Sequence, residues 1–376
     1  MTADARRREA DELDARILRT IEDWRATGRA LSDGEFSALA LDLFAHQARW
    51  NRPYAAFARA AGFDAERPPR DWREIPPVPT LAFRECALAA FPPEDAALVF
   101  ETSGTTAQRK GLHYFETAAL YDAALLAGFD RFMLSDVAAE RRLRYFLLLP
   151  DRPRSSLGYM LECVARECGE GAEGSYLAAD RIDVERFCDD VARAGREGLP
   201  VCLAGTAFAF VGLLDALGGR RVSTLPGSRI LETGGFKGRS REITRERLYG
   251  ALSAAFTIPL AAIVAEYGMT ELTSQYYDAP GARGAAAVAV AVKVGPPWLR
   301  ARAIGADGNE VGIGEVGALR HYDLANRGSA IAIQTEDLAE RRTDGFVLVG
   351  RDPDAALRGC SLDAEDLLEH LIATRG

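Results

Sequence analysis

Residues 97–111 read Ala-Leu-Val-Phe-Glu-Thr-Ser-Gly-Thr-Thr-Ala-Gln-Arg-Lys-Gly, an apolar run that stops at a loop of hydroxyls, glycine and one lysine. The run predicts a strand over Ala97–Glu101, and helical spacing follows near Thr117–Phe132. The same alternation recurs downstream. Arg144–Leu149 is an apolar strand ahead of a helix through Leu157–Cys168, while Val201–Ala204 and Arg229–Leu231 are short buried strands that run into glycine turns. Such repetition predicts an α/β fold with a parallel-rich sheet flanked by helices, and ligands at the loops beyond the C-terminal strand ends. After residue 280 the pattern shifts to shorter β segments, Ala285–Val294 and Gly317–His321, which predict a small β-barrel-like subdomain.

Upstream, residues 6–27 carry Leu13, Ile17, Ile21 and Trp24 at helical spacing among mixed charges, and Asp33–Arg49 sets Phe36, Leu39, Leu43 and His46 along one face. The Pro- and charge-rich stretch Arg67–Pro79 reads as a connector. The expected organisation is an N-terminal helical region over 1–95, a core over 96–350 and a short C-terminal remnant over 351–376 with a last helix about Asp363–Ala373.

Composition narrows the function classes. The 376 residues are 48% apolar and 27% charged, ordinary for a folded soluble protein. A net charge of −9 argues against a nucleic-acid groove but leaves room for a local anion site. Met1–Arg8 lacks the apolar core of a signal peptide, and the uncharged run Gly198–Leu214, broken by Pro200, Gly205 and Gly212, reads as strand, turn and helix start rather than a membrane span. Six cysteines without CxxC or zinc-type spacing suggest reduced thiols and a cytoplasmic setting. Only Lys110, Lys237 and Lys293 among 46 basic residues are lysine, so each marks a place where a compact ammonium suits better than a planar guanidinium.

Several loops carry candidate chemistry. Thr102, Ser103, Gly104, Thr105, Thr106 and Lys110 offer hydroxyls, backbone N–H groups and an ammonium to a polyphosphate; the plain alternative is a polar surface loop. It is not a Walker A loop, because Arg109 and Gly111 stand where that motif needs glycine and Ser/Thr. In Glu266-Tyr267-Gly268-Met269-Thr270-Glu271, Glu271 beside Thr270 suits Mg²⁺ held against a phosphate oxygen, and Tyr267 suits stacking on a base. Gly234-Gly235-Phe236-Lys237 admits a flat ligand close to the backbone, with Lys237 in reach of an anion. Asp337 can accept from ribose hydroxyls, and Gly350-Arg351-Asp352 reads as a hinge-like loop. His113, just past the hydroxyl-rich loop, either faces an acyl phosphate or is an ordinary residue on the approach to the next helix. Tyr159, Met160 and Phe208 line either an acyl pocket or plain core.

Taken in order, these segments resemble the adenylate-forming superfamily of acyl-CoA ligases and adenylation domains. Thr102–Gly111 is similar to its phosphate loop, Tyr267–Glu271 to its YGxTE motif, Glu315-Val316-Gly317 to its GExG turn, Asp337 to its ribose aspartate and Arg351 to its hinge-region arginine. A closer resemblance is to the acyl-protein synthetase (LuxE-type) family. It is carried by Asn51-Arg52-Pro53-Tyr54, Ile75-Pro76-Pro77-Val78-Pro79-Thr80, Ser155-Ser156-Leu157-Gly158-Tyr159-Met160, Thr233–Lys237 and Thr335-Glu336-Asp337-Leu338. The likeness implies a large adenylation domain with a truncated C-terminal domain, ATP and Mg²⁺ as cofactors, and activation of a small carboxylic acid, a fatty or other acyl acid, as acyl-adenylate.

Two departures stand out. Ala107 and Arg109 replace the glycine and proline of many relatives, and no lysine follows Lys293 where superfamily ligases carry one in a C-terminal domain. Lys237, aided by Mg²⁺ and Lys110, is the candidate to offset charge at the α-phosphate. The LuxE-type family is acylated on a cysteine near its carboxyl end, which makes Cys360 the candidate acyl carrier; a small buried residue at a turn is the plain alternative. The acceptor is then a reductase or carrier protein, with CoA or a small amine or alcohol as alternatives and a non-catalytic nucleotide-binding protein as a further one.

Overall fold

The computed structural model describes residues 2–102, 109–137, 142–150, 152–173, 176–178, 181–234, 243–280 and 291–351. Two compact units emerge from a chain that crosses between them more than once. Unit 1 gathers Met1–Ala127, Met269–Gln275 and Gly295–Gly376, and unit 2 gathers Gly128–Gly268 and Tyr276–Val294.

Unit 2 holds the alternation read from the sequence. Among the described residues its parallel strands lie in the order Gly169–Glu173, Leu143–Leu148, Val201–Thr206, Arg229–Thr233 and Ile263–Tyr267. Tyr276–Asp278 and Val292–Val294 continue the sheet antiparallel. Helices Ser156–Cys168, Val184–Arg196, Ala207–Leu217 and Arg245–Phe256 start where Ser155, Asp183, Thr206 and Thr244 accept a backbone N–H of the first turn. Phe146, Leu203, Phe210, Leu213, Ile230, Leu248 and Phe256 are fully buried between sheet and helices. Burial of each contributes about 1.5–3 kcal/mol. The uncharged run Gly198–Leu214 is the strand Val201–Thr206 and the start of the helix Ala207–Leu217. Among the described residues no helix is long and apolar enough to cross a membrane. Gly205 lets adjacent strands approach, since a Cβ there would stand 2.8 Å from the Leu148 Cβ.

Unit 1 begins with the helix Ala3–Thr27, whose buried side is Ala10, Leu13, Ile17, Ile21 and Trp24, the spacing read from the sequence. The helix Asp33–Trp50 opens with a capping box of Ser32 and Glu35 and buries Phe36, Leu39, Leu43 and His46. Asn51 then ends one helix and caps the next, Arg52–Ala60, through Tyr54 N–H. The strands Leu299–Ile304, Val316–Asp323, Ala332–Arg342 and Gly345–Arg351 form an antiparallel meander. Val78–Pro79 lies parallel to Ile333–Gln334 on that meander, so the stretch read as a connector ends as a strand.

One expectation needs correction. The hydroxyl-rich loop does not lead from strand to helix. Leu98–Glu101 pairs antiparallel with a strand at Leu112–Phe115, and the loop joins the two arms of this hairpin. Leu112–Phe115 escaped notice because its His and two aromatic rings give no clean alternation; burial on every second residue appears only in the fold.

Candidate active site

The site is built from unit 1 around Thr270 and Glu271. Two contacts fix the backbone of this pair. His113 Nδ1 lies 2.8 Å from the Thr270 carbonyl and donates to it, and Asn326 Nδ2 donates to the Glu271 carbonyl at 3.0 Å. His113 Nε2 lies 3.1 Å from Asn326 Oδ1, and a neutral ring that donates from Nδ1 has no proton left for this oxygen. Both neighbours of the ring are acceptors and favour its charged form, yet burial outweighs them and lowers the imidazole pKa to about 4. His113 is therefore a neutral clamp at neutral pH. With each ring nitrogen already facing a protein oxygen, it has none to turn to an acyl phosphate, the role entertained for it from the sequence.

Asn326 is itself held from the N-terminal helices. Gln47 Nε2 donates to the carbonyls of Asn326 and Arg327 at 2.8 and 3.1 Å, Gln47 Oε1 accepts from Ile331 N–H, and Asn51 Nδ2 donates to the Ser329 carbonyl. Arg327 pairs with Asp14 and Glu116, and Arg6 closes on Glu116. Beyond Glu271 the turn is pinned by Asp323, which accepts from Thr273 N–H, Ser274 N–H, Ser274 Oγ and Ala325 N–H. Burial nevertheless raises the Asp323 carboxyl to about 6.

The Glu271 side chain sits in a charged neighbourhood. It is 8% exposed, and burial pushes its pKa up to about 7. Arg84 and Arg351 act against that rise and Asp337 adds to it, which places Asp337, Arg351 and Arg84 within electrostatic reach of Glu271. Asp337 and Arg351 are register partners on neighbouring strands, and Arg351 Nε donates to Asp337 Oδ1 at 2.9 Å. Arg351, read as part of a hinge-like loop, is here the last residue of a strand.

The hydroxyl-rich loop is closed at its neck by a reciprocal pair, Thr102 N–H to the Gly111 carbonyl and Gly111 N–H to Thr102 Oγ1, each 2.9 Å. Thr102 thus serves the loop's base. A Cβ on Gly111 would stand 3.0 Å from the Thr102 methyl, so that closure depends on glycine. Lys110 is half-exposed and pairs with Glu101 at 2.8 Å, while the Glu101 carbonyl faces Thr270 Oγ1 at 3.5 Å. An ion pair this exposed contributes about 0–1 kcal/mol and releases its lysine to a phosphate cheaply.

Ser103, Gly104, Thr105, Thr106, Gly235, Lys237 and Cys360 lie outside the described residues. In unit 2, Gly234 ends the strand Arg229–Thr233 with φ +79°, a conformation that favours glycine. Tyr267 is the last residue of its strand, and Gly268 follows it. Of the three pocket candidates Met160 is core at 2% exposure, Phe208 is 56% exposed and Tyr159 is intermediate. Cys163 and Cys202 are buried, and burial pushes the Cys202 thiol up to about 12.

Sequence reading missed Asn326, Asp323, Arg84 and Gln47. Asp323-Leu-Ala-Asn326-Arg-Gly-Ser has the composition of a turn, but nothing in its spacing ties it to Glu271, which only the fold brings near.

Among the described residues no group of three or more His, Cys, Asp or Glu is arranged to hold a metal ion. Glu271 nevertheless fits a hard divalent cation: it offers carboxylate oxygens, and burial, the main cause of its raised pKa, disfavours a negative charge that a cation would compensate.

No protein-family model matches this chain, and no curated protein matches it in sequence. Its fold does have solved neighbours. One is a 2-hydroxyisobutyryl-CoA ligase complexed with 2-HIB-AMP and CoA in the thioesterification state, at TM-score 0.65 and 13% identity over 87% of this chain and 69% of that one. The open conformation of that ligase gives 0.63 and 12% over 86% and 72%. McyG A-PCP complexed with phenylalanyl-adenylate gives 0.49 and 14%, and ATP-bound MatB from Rhodopseudomonas palustris gives 0.47 and 17%. This chain spans 48% and 49% of the length of those two. The chain therefore has the mixed α/β fold of adenylate-forming ligases, with a parallel-rich sheet flanked by helices.

Proposed function

We propose that this protein uses ATP to activate a carboxylic acid as its acyl-adenylate and then passes the acyl group to a thiol. The observation that carries the reading is the buried Glu271 within electrostatic reach of Asp337, Arg351 and Arg84, its backbone clamped by His113 and Asn326. It stands on a fold shared with a ligase solved with an acyl-AMP.

In the first step a carboxylate oxygen of the acid attacks the α-phosphorus of ATP, the bond to the β-phosphoryl oxygen breaks, and pyrophosphate leaves. Asp337 takes the ribose hydroxyls, and Tyr267 stacks on the adenine. The loop 102–111, with Ser103, Gly104, Thr105 and Thr106, cradles the phosphates once Lys110 leaves Glu101. Glu271 would hold Mg²⁺, which when bound neutralises charge on phosphate oxygens. Lys237, beyond the Gly234-Gly235 turn, is assigned to the charge that develops at the α-phosphate. In the second step a thiolate attacks the acyl carbonyl carbon, and AMP leaves with the electron pair of the broken C–O bond.

Two acceptors have separate support. The LuxE-type resemblance favours Cys360 followed by a partner protein, a reductase or carrier. The CoA held by the 2-hydroxyisobutyryl-CoA ligase favours CoA. ATP–pyrophosphate exchange across a panel of acids tests activation, and absence of exchange with every acid refutes it. Acyl transfer then separates the acceptors: a hydroxylamine-labile adduct on Cys360, or acyl-CoA after CoA is added.

A further inference from the structure

Glu266 is a buried carboxyl that the proposed chemistry does not use. It is 6% exposed, and its one hydrogen bond among the described residues comes from Thr233 Oγ1. Thr233 is its register partner on the neighbouring parallel strand. Burial is the main influence on Glu266 and pushes it up to about 7.

Asp278 in the same unit is treated differently, with Arg245, Lys293 Nζ at 2.9 Å and the Ala265 N–H at 2.8 Å. Glu232, like Glu266, is met by one hydroxyl, that of Tyr249 at 3.1 Å, and burial raises it to about 7, but Lys293 and Arg245 lead the influences that act against that rise. Neighbouring residues on a strand face opposite sides of a sheet, so Glu232 and Asp278, which pair with Ala265 and its neighbour strand, share one face and Glu266 occupies the other. Lys293 reaches Glu266 only as a secondary influence. A buried acceptor is costly unless a donor meets it, and here one oxygen has a hydroxyl and the other has no protein donor among the described residues.

The position suits a ligand. Thr233 and Glu266 stand at the C-terminal ends of parallel strands, where open α/β sheets bind theirs. Next to Thr233, nothing among the described residues lies within 4 Å of the place a Cβ would take on Gly234.

We infer that Glu266, with Thr233, recognises a hydrogen-bond donor carried by the acid substrate, an amine or a hydroxyl, so that the protein selects amino- or hydroxy-substituted acids over plain hydrocarbon ones. The inference rests on the acyl-adenylate reading. A site built around a buried acceptor rejects an analogue lacking the donor far more strongly than an apolar pocket rejects a missing methylene, up to about 10⁴-fold.

The test is ATP–pyrophosphate exchange by the full chain with straight-chain and aromatic acids, each in plain, amino and hydroxy forms. The expected result is a preference of at least about a hundredfold for one donor-bearing form. Whether amine or hydroxyl leads identifies the donor. Glu266→Leu should turn the ranking toward the plain acid, and Glu266→Gln, close in shape, should weaken amino acids more than hydroxy acids. Exchange that favours plain acids in the wild type, or a ranking untouched by both variants, overturns the inference and leaves acid activation standing. No exchange with any acid removes activation itself and the inference with it.

Discussion

Two buried carboxyls, Asp278 in unit 2 and Glu271 in unit 1, show opposite treatments of the same problem. Asp278 is 5% exposed, and burial would raise it, but Lys293 and Arg245 outweigh that cost and hold it below the usual carboxylate range. Glu271 is 8% exposed and lies near two arginines, yet its pKa is raised to about 7, because burial outweighs its own backbone N–H and the two arginines, and Asp337 adds to the rise. A saturated carboxyl is part of the scaffold. One that is buried, raised and firmly held by its backbone is set up to receive a cation or a donor from outside.

The sharpest way to break this contrast is Glu271→Gln. Pyrophosphate exchange should fall about 10²–10³-fold, with no loss of thermal stability at pH 8, since a neutral amide replaces a carboxyl that resists ionisation. A large drop in stability instead would make Glu271 a scaffold residue like Asp278. Asn326→Ala comes next. It removes the donor on the Glu271 carbonyl and should cost about 1–3 kcal/mol in denaturant unfolding. The kcat should fall about ten- to a hundredfold through misplacement of Glu271. Asn326→Asp, which keeps the shape and lacks the N–H, should behave alike.

The pH dependence of stability sharpens the comparison further. Glu232, Glu266 and Glu271 are each raised to about 7 by burial. A raised carboxyl favours the folded state in its protonated form. Its contribution is complete below the unfolded value near 4.5 and is lost as pH rises through about 7. Unfolding free energy should therefore decline between those limits, by on the order of 3 kcal/mol per group at most. Glu232→Gln should flatten that slope and leave exchange activity in place. The smallest effect belongs to Lys110→Ala, which should change stability by less than about 1 kcal/mol because its partner Glu101 is met near the surface. Its effect should appear instead as a raised KM for ATP.

The three lysines mark how far reading residues alone goes. Their scarcity pointed to positions where a compact ammonium is needed; Lys293 is a buried strut, donating to the Ala265 carbonyl and to Asp278, and Lys237 lies outside the described residues. Lys110 flanks the hairpin loop as expected. Apolar spacing located the N-terminal helices and the strands Leu143–Leu148, Val201–Thr206 and Arg229–Thr233 within a few residues but not Gly169–Glu173, since burial imposes a period that local sequence must carry. The Leu112–Phe115 strand was illegible for the same reason inverted: its rings and imidazole are sorted by partners far away in the chain.

By itself, then, the sequence determined the α/β alternation, the helix starts with their Ser, Thr, Asp and Asn caps, and the short motifs around Thr102, Glu271 and Asp337. Each of these depends on neighbours within a turn or a strand. Only the tertiary structure decided that His113 and Asn326 clamp Thr270 and Glu271, that Asp337 and Arg351 face each other across a strand pair, and that Asp278 is saturated while Glu266 and Glu271 are not. Those distinctions arise from desolvation and from donors supplied by distant segments, and no local pattern encodes either.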